Sequence, residues 1–514
     1  MNDLPADAGA LVDHWRRAAP GREALCYGER SWTWAQVADQ VDRNAAAQLA
    51  AGLRPGDRVA ILDKNSPAHL VTALACLRAG TVLVPVNFRL AAPEARHLIS
   101  DARARLLLAG AEFRPVADAI QADLPSVAKT VVVGGDGDQY ERWLAGASLS
   151  ARPPRPIGGA CFLQLYTSGT TGDPKGALHT GAGLTAQALS RGAALGARPD
   201  NVWMAALPVF HMGALGWVLA ALYHGACVVL VRDIDPPALL EDIIGRPVTH
   251  VVLAPALLSE FLKVPGVASR DYSHVQALVY TASPIQPPLL RRCLETFPVP
   301  FFQLYGMTEA SVISLLGDRE HRDAGHPRRL ASAGKPLPGV EVEIADPGSG
   351  EWLGPGQVGE VWVRSRQVML GYWTSAEPDT SAITPDGWLR TGDAGYLDDD
   401  GYLYLTGRFK DMYITGGSNV YAAEVERVLA GHPGVAEAAV IGVPDDALGE
   451  VGLAFLIPAA RTSIDKPDVL RHCHEHLAAY KCPARLVIVG DLPRNAVSKV
   501  VKEKLREQAR PVRR

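Results

Sequence analysis

Three things are scarce in this 514-residue chain. Cysteine is the first: seven residues, at 26, 76, 161, 227, 293, 473 and 482, an odd total without a C-x-x-C pair. That excludes a disulfide framework and points to reduced thiols in a cytoplasmic protein. Net charge is the second, because 51 Lys and Arg against 55 Asp and Glu leave only -4. A field that weak recruits neither nucleic acid nor an anionic membrane, so the expected partner is a small molecule. Long apolar runs are the third. The opening MNDLPADAGALVDHWRR carries early acids and has no apolar core of signal-peptide length. One stretch, GALGWVLAALYHGACVVLV at 213–231, is long enough on count to span a bilayer. Its helical half closes at Gly225, however, and ACVVLV then reads as a short buried strand, so no membrane span is expected.

What is present is alternation. Apolar runs such as RVAILDKNS (58–66), TVLVPVNFR (81–89), ARLLLAG (104–110), TVVVGG (130–135), CVVLVRD (227–233), THVVLAP (249–255) and ALVYTAS (277–283) are separated by helix-length segments. Strands apolar on both faces and spaced this way predict parallel sheets covered by helices, an α/β fold. The chain is too long for one core. After about residue 335, short strands joined by Gly, Asp and Pro suggest an antiparallel barrel or meander. Near 411 a small α+β lobe of roughly a hundred residues begins. The expected division is 1–155 and 156–334 as two α/β subdomains, 335–409 as a barrel-like subdomain, and 410–514 as a C-terminal domain.

Residues 166–176 read YTSGTTGDPKG, directly after the apolar run ACFLQL. Gly169, Gly172 and Gly176 allow tight turns that gather backbone N–H groups into an anion-binding concavity beside Lys175, which suits a polyphosphate. The loop is not a Walker A sequence: Pro174 precedes the lysine and Gly176 follows it. A flexible surface turn is the alternative for such a stretch on its own.

It is accompanied by LPVFHMGALG (207–216), QLYGMTE (303–309), LRTGDAGYLDDDGYLYLTGRFKD (389–411) with ITGGSNVYAAEVE (414–426), and LPRNAVSK (492–499). In this order and spacing the five motifs resemble the adenylate-forming superfamily of acyl- and aryl-CoA synthetases, peptide-synthetase adenylation domains and luciferases. The resemblance covers essentially the whole chain and is nearest to the bacterial fatty-acyl-CoA and aryl-CoA synthetases. It implies a large N-terminal domain of two helix-covered sheets plus a small barrel, and a mobile C-terminal domain hinged at Lys410. It implies an ATP-dependent carboxylic acid:CoA ligase that forms an acyl-AMP and then a thioester, with ATP, Mg²⁺ and coenzyme A as cofactors. An enzyme loading a carrier protein or another acceptor is the alternative. A homodimer is also allowed.

By the same resemblance, Thr167, Ser168, Gly169, Thr170, Thr171 and Lys175 hold the β- and γ-phosphates. Tyr305 lies against the adenine with Gly306 beside it, Thr308 meets the α-phosphate, and Glu309 holds Mg²⁺, a hard cation suited to carboxylate oxygen. Asp393 accepts the ribose hydroxyls and Arg408 faces them, a surface ion pair being the plainer reading. Lys499 reaches in during adenylation, although Ser498 stands where Gly is commonest. Gly416 and Gly417 line the pantetheine channel. The acid is expected between LPVFHMGALG and TASPIQ, with His211 as a gate and Met212, Leu215, Trp217, Ala282, Met307 and Ile313 as lining, Gly306 and Met307 capping it and Ser283 nearby. No Arg or Lys stands out as a clamp for a second carboxylate, which favours a hydrophobic or aromatic monoacid. Thr281-Ala282-Ser283-Pro284 replaces the commoner G-G-A-P, and the added atoms favour a medium-length or aryl acid. His472 and His476, one helical turn apart, have a spacing that can bind zinc but lack evident further ligands, so a solvated helix face is expected.

Overall fold

The structure, a computed structural model, describes residues 4–135, 137–148, 159–167, 174–416, 418–445, 447–459, 462–494 and 500–509. The expected α/β alternation is present. One sheet has seven strands, in the order Gly371–Tyr372, Lys175–Thr180, Cys161–Thr167, Val82–Val86, Arg58–Leu62, Ala104–Gly110 and Lys129–Val133. Its last five strands run parallel to one another. Val59, Ala60 and Ile61 are fully buried, as strands covered by helices on both faces require. The second sheet has nine strands, with Phe301–Met307, Ala277–Tyr280, His250–Leu253, Val202–Ala205, Cys227–Leu230 and Glu23–Tyr27 forming its parallel interior.

These sheets cut across the expected break at 155/156. Glu23–Tyr27 joins the second sheet beside Cys227–Leu230, and Cys161–Thr167 and Lys175–Thr180 join the first. Local periodicity marks each strand but carries no information about its lateral partner, so a cut drawn from texture misplaces the exchange. The stretch at 213–231 divides as expected into a helix, Met212–Tyr223, and a strand, Cys227–Leu230, with Gly225 at φ 78° between them. Among the described residues no helix is long and apolar enough to cross a membrane.

Residues 340–408 form a four-stranded antiparallel sheet, Val340–Ala345, Gly359–Ser365, Leu389–Leu397 and Leu403–Arg408, taking the meander form. The C-terminal lobe holds a five-stranded sheet built around Val435–Asp445 and Gly449–Pro458. Helices Ala422–Ala430, Lys466–His476 and Lys502–Ala509 belong to it. The first of these lies beside Leu403–Arg408.

Candidate active site

Four segments meet at one edge of the large body: the start of Lys175–Thr180, the end of Phe301–Met307, Gly371–Tyr372, and the Leu389–Arg408 hairpin. The hairpin register sets Asp393 directly opposite Arg408. Arg408 Nε donates to Asp393 Oδ1 at 2.8 Å and the Tyr305 hydroxyl donates to Asp393 Oδ2 at 2.6 Å. The Asp393 backbone N–H is held by Thr391 Oγ1, which itself donates to the Val361 carbonyl. Asp393 is only 6% exposed, so the surface ion pair is not what the structure contains. Burial and the neighbouring Asp393 charge push the Tyr305 phenol well above its ordinary value and keep it a donor. Burial opposes the Arg408 charge, but Asp393, Tyr305 and Glu309 outweigh it and raise the Arg408 pKa.

Beside this triad stands a second one. The Tyr372 hydroxyl donates to Glu309 Oε1 at 2.8 Å, and Lys175 Nζ lies 5.2 Å from the centre of the Tyr372 ring, within cation–π range. Burial first, then the Glu309 charge, raises the Tyr372 phenol's pKa. Glu309 is buried and its carbonyl accepts from the Met369 N–H, which ties the acid to the 365–372 segment. Tyr372 was missed in the sequence: GYW follows an apolar turn and carries no motif of its own. The hairpin pairs Thr167 with Lys175, and Thr167 Oγ1 donates to the Lys175 carbonyl. Ser168, Gly169, Thr170 and Thr171, and also Gly417 and Lys499, lie outside the described residues.

Between the triads Gly306 is exposed, and only glycine fits there, since a Cβ would stand 2.0 Å from the Ser311 carbonyl oxygen. An exposed backbone with no side chain admits a flat ligand close to the strand. Ala282 and Ser283 are exposed at the same cleft, and Ala282 takes φ 75°, the left-handed region that glycine fills at no steric cost.

On the inner side, His211 caps the Met212–Tyr223 helix, its ring 4.2 Å from that of Phe210. Its Nε2 is buried without a partner, and burial, helped by Arg89, pushes its pKa down to about 3. The ring is therefore neutral and offers one free nitrogen. Met212 and Leu215 are buried on the same helix, and Ile313 is fully buried. Trp217 is not lining. Its Nε1 donates to the Met204 carbonyl at 3.1 Å and its ring packs 4.3 Å from Trp203, so it faces the sheet. Helical rotation of about 100° per residue separates it from the face carrying Gly216, which sequence proximity alone conceals.

In the C-terminal lobe Gly416 is exposed at φ 55°. Lys410 and Asp411 are engaged by the terminal helix: Lys410 Nζ lies 3.8 Å from Glu503, and Arg506 donates to Asp411 Oδ1 and the Lys410 carbonyl. Three residues after Lys499, Lys502 pairs with the half-buried Glu426 at 2.6 Å. His472 Nε2 bonds the Val428 carbonyl and, with Glu475 and His476, forms a loose cluster on a mostly exposed face.

The sequence profile of the AMP-binding enzyme family matches residues 12–373, and that of the AMP-binding enzyme C-terminal domain matches 424–499. The chain belongs to the AMP-binding enzyme family. A fatty acid–[acyl-carrier-protein] ligase, ScoC, from Streptomyces coeruleorubidus is 38% identical over 94% of this chain and 92% of the relative. A feruloyl-CoA synthase from an Amycolatopsis species is 38% identical over 96% and 97%. Among solved structures, ATP-bound MatB from Rhodopseudomonas palustris superposes with a TM-score of 0.89 at 30% identity, covering 99% of this chain and all of that one. The α/β architecture with a large N-terminal body and a small C-terminal lobe is thus that of adenylate-forming enzymes.

Proposed function

We propose that this AMP-binding enzyme is an acyl-CoA synthetase: it joins a carboxylic acid to coenzyme A at the expense of ATP, through an acyl-AMP. The observation that carries this reading is the pair of triads beside the bare Gly306 backbone, Tyr305–Asp393–Arg408 and Lys175–Tyr372–Glu309, each built on a buried carboxylate. The first offers a flat edge for adenine and a carboxylate with spare lone pairs for the ribose hydroxyls. The second offers a cation and a carboxylate where polyphosphate charge must be met. Mg²⁺ fits here because Glu309 presents hard oxygen, and it would supply charge neutralisation at the phosphates.

A carboxylate is a poor acyl donor. In the first half-reaction its oxygen attacks the α-phosphorus and pyrophosphate leaves. Lys175 and Lys499 offset the charge that builds there. In the second, the thiol attacks the acyl carbonyl and AMP leaves. Neutral His211, with a free nitrogen at the inner wall, positions the acid without repelling or protonating it. Turning the C-terminal lobe about Lys410 would exchange Lys499 for Gly416 and Gly417 at the site. The contacts of Arg506 with Lys410 and Asp411 would couple the terminal helix to that hinge. We place the enzyme in the cytoplasm and take its acid to have a hydrophobic or aryl body, in line with the feruloyl-CoA relative. The carrier-protein relative supports a second reading, in which the thiol belongs to a protein-bound pantetheine.

The test is AMP and thioester formation from ATP over a panel of aliphatic, aryl and dicarboxylic acids, with and without CoA. CoA-dependent thioester establishes the ligase. Acyl-AMP that passes only to a holo carrier protein establishes the second reading and refutes the first.

A further inference from the structure

Among the described residues, two groups of three metal-ligating side chains have their donor atoms within 4.8 Å of one another, and one of them contains sulfur: Glu23, Cys26 and Cys227. The two cysteines are 201 positions apart and share no motif. They meet because Glu23–Tyr27 pairs in parallel with Cys227–Leu230, in the exchange that carries an N-terminal strand into the second sheet. The register sets Cys26 opposite Val229, and Cys227, two positions before Val229, points to the same face. The two sulfurs stand 3.6 Å apart.

Glu23 reaches them by a second device. Three residues before Cys26, it would point to the opposite face of a regular strand. Against Arg30–Thr33, however, the register shifts between Glu23 and Leu25. Ala24 is thus the extra residue of a bulge, which turns Glu23 to the Cys26 side. A bulge re-aims one side chain by interrupting the ladder, and the side chain delivered here is a carboxylate beside two thiols.

The sulfur separation discriminates between the uses such a pair can have. A disulfide requires about 2.05 Å. An ion about 2.3 Å from each sulfur, with the sulfurs 3.6 Å apart, closes an angle of about 103°, close to tetrahedral, whereas linear coordination at the same bond length would need about 4.6 Å. Two thiolates and a carboxylate carry one negative charge more than a divalent ion neutralises. Arg246, whose charge acts on both sulfurs and which Asp242 shares, offsets it. Cys227 is buried, Cys26 half-buried and Glu23 exposed, which leaves the ion a path in and a water room at the fourth position.

We propose that Cys26, Cys227 and Glu23 form a tetrahedral site for a zinc-type divalent ion, closed by one water, that fastens the N-terminal strand to the second sheet. The site is structural. Four strands separate Glu23–Tyr27 from Phe301–Met307, which at about 4.8 Å per step puts it about 24 Å from the nucleotide edge. It therefore stands whichever acyl acceptor the enzyme uses.

The experiment takes the full chain, stripped of metal and kept reduced with a phosphine, and titrates it with Co²⁺ in the absence of nucleotide. The wild type should develop sulfur-to-cobalt charge-transfer absorption together with the visible bands of tetrahedral Co²⁺, saturating at one ion per chain and displaced by Zn²⁺. Cys26→Ser and Cys227→Ser should each lose at least half of the charge-transfer intensity. Glu23→Gln should keep that intensity but weaken binding by about tenfold or more, a loss that even an outer partner of a metal site brings. Cys482→Ser, which removes a thiol lying 3.4 Å from His474, should change nothing. Zn²⁺ should raise Tm in the wild type and not in Cys26→Ser. Should the cysteine variants fail to fold, alkylation of the wild type decides: Zn²⁺ should shield Cys26 and leave Cys482, also half-buried, open to reagent. No charge-transfer absorption, equal absorption in Cys26→Ser, unshielded Cys26 or unchanged affinity in Glu23→Gln would overturn the three-ligand site. So would a reduced chain that takes up no Co²⁺ and, on oxidation, links Cys26 to Cys227, which would make the pair a redox couple instead.

Discussion

The two walls of the cleft are built on opposite terms. On the nucleotide side the charged groups of the two triads meet within the protein: Asp393 holds Arg408 and Tyr305, and Glu309 holds Tyr372. Further inside, His179 Nε2, His211 Nε2 and the Arg191 guanidinium are buried nitrogens that have no partner. A ligand that is always the same can be met by a network preorganised before it arrives, which is where electrostatic stabilisation is most effective. A pocket whose occupant defines the enzyme keeps its polar groups unspent, and gains discrimination because a wrong occupant leaves them unpaired.

The largest effect expected tests whether the catalytic charge belongs to neither wall. Lys499→Ala should lower acid-dependent pyrophosphate exchange by about 10²–10³-fold, the usual loss of one preorganised charge donor. Thioester formation from supplied acyl-AMP should survive. Equal loss in both half-reactions would show that Lys499 supports the fold or the thiol step rather than adenylation.

Next comes the network itself. Asp393→Ala strands a guanidinium and a phenol together, so KM for ATP should rise at least tenfold and stability should fall by about 2 kcal/mol, below the value for fully buried pairs because Arg408 is one-third exposed. KM for the acid should move little. Tyr372→Phe, which frees only one oxygen of Glu309, should cost less than Asp393→Ala in the same assay. If both variants changed acid selection as strongly as ATP use, the two walls would not be separable.

A third effect is readable in stability against pH. Burial pushes His211 down to about 3 and His69, His179 and His250 to about 4. Each binds its proton more readily unfolded, so folding stability is fully present above pH 6.5 and is lost as pH falls from 6.5 toward 4. The slope is about 1.4 kcal/mol per pH unit for each such histidine. Thermal unfolding across pH 4–7 should show a steep acid limb, and His211→Asn should flatten it by about one histidine's share. An unchanged limb would mean that His211 is hydrated rather than buried.

The same contrast governs what could be read from the sequence. Lys175, Tyr305, Glu309, Asp393 and Arg408 stand in contiguous motifs, because a shared nucleotide demands residue types at fixed spacing. The structure brings these five together. Tyr372 was invisible because it reaches Glu309 across 63 positions from a segment without a motif. That Arg191 and Gln187 are buried was invisible for a different reason: burial of a polar residue is set by how two helices lie against each other, and helix periodicity alone does not say which neighbour covers a given face. The exchange of Glu23–Tyr27, Cys161–Thr167 and Lys175–Thr180 between sheets was hidden likewise, since pairing is a lateral fact.

Ala282 is the smallest lever and the sharpest, because it sits where the walls join. Its φ of 75° is a conformation in which an L-residue other than glycine is strained by about 1–2 kcal/mol, yet the chain keeps alanine there. Being exposed at the cleft, its methyl has little packing to offset that cost. Strain retained at a cleft is expected where the side chain shapes the ligand's space. Ala282→Gly should therefore stabilise the protein, by about 1 kcal/mol, visible as a small rise in Tm. It should also widen the acid range toward bulkier bodies while leaving KM for ATP alone. A gain in stability with no change in acid range would mean that the methyl touches neither substrate, and would move the boundary of the acyl pocket inward to Met212.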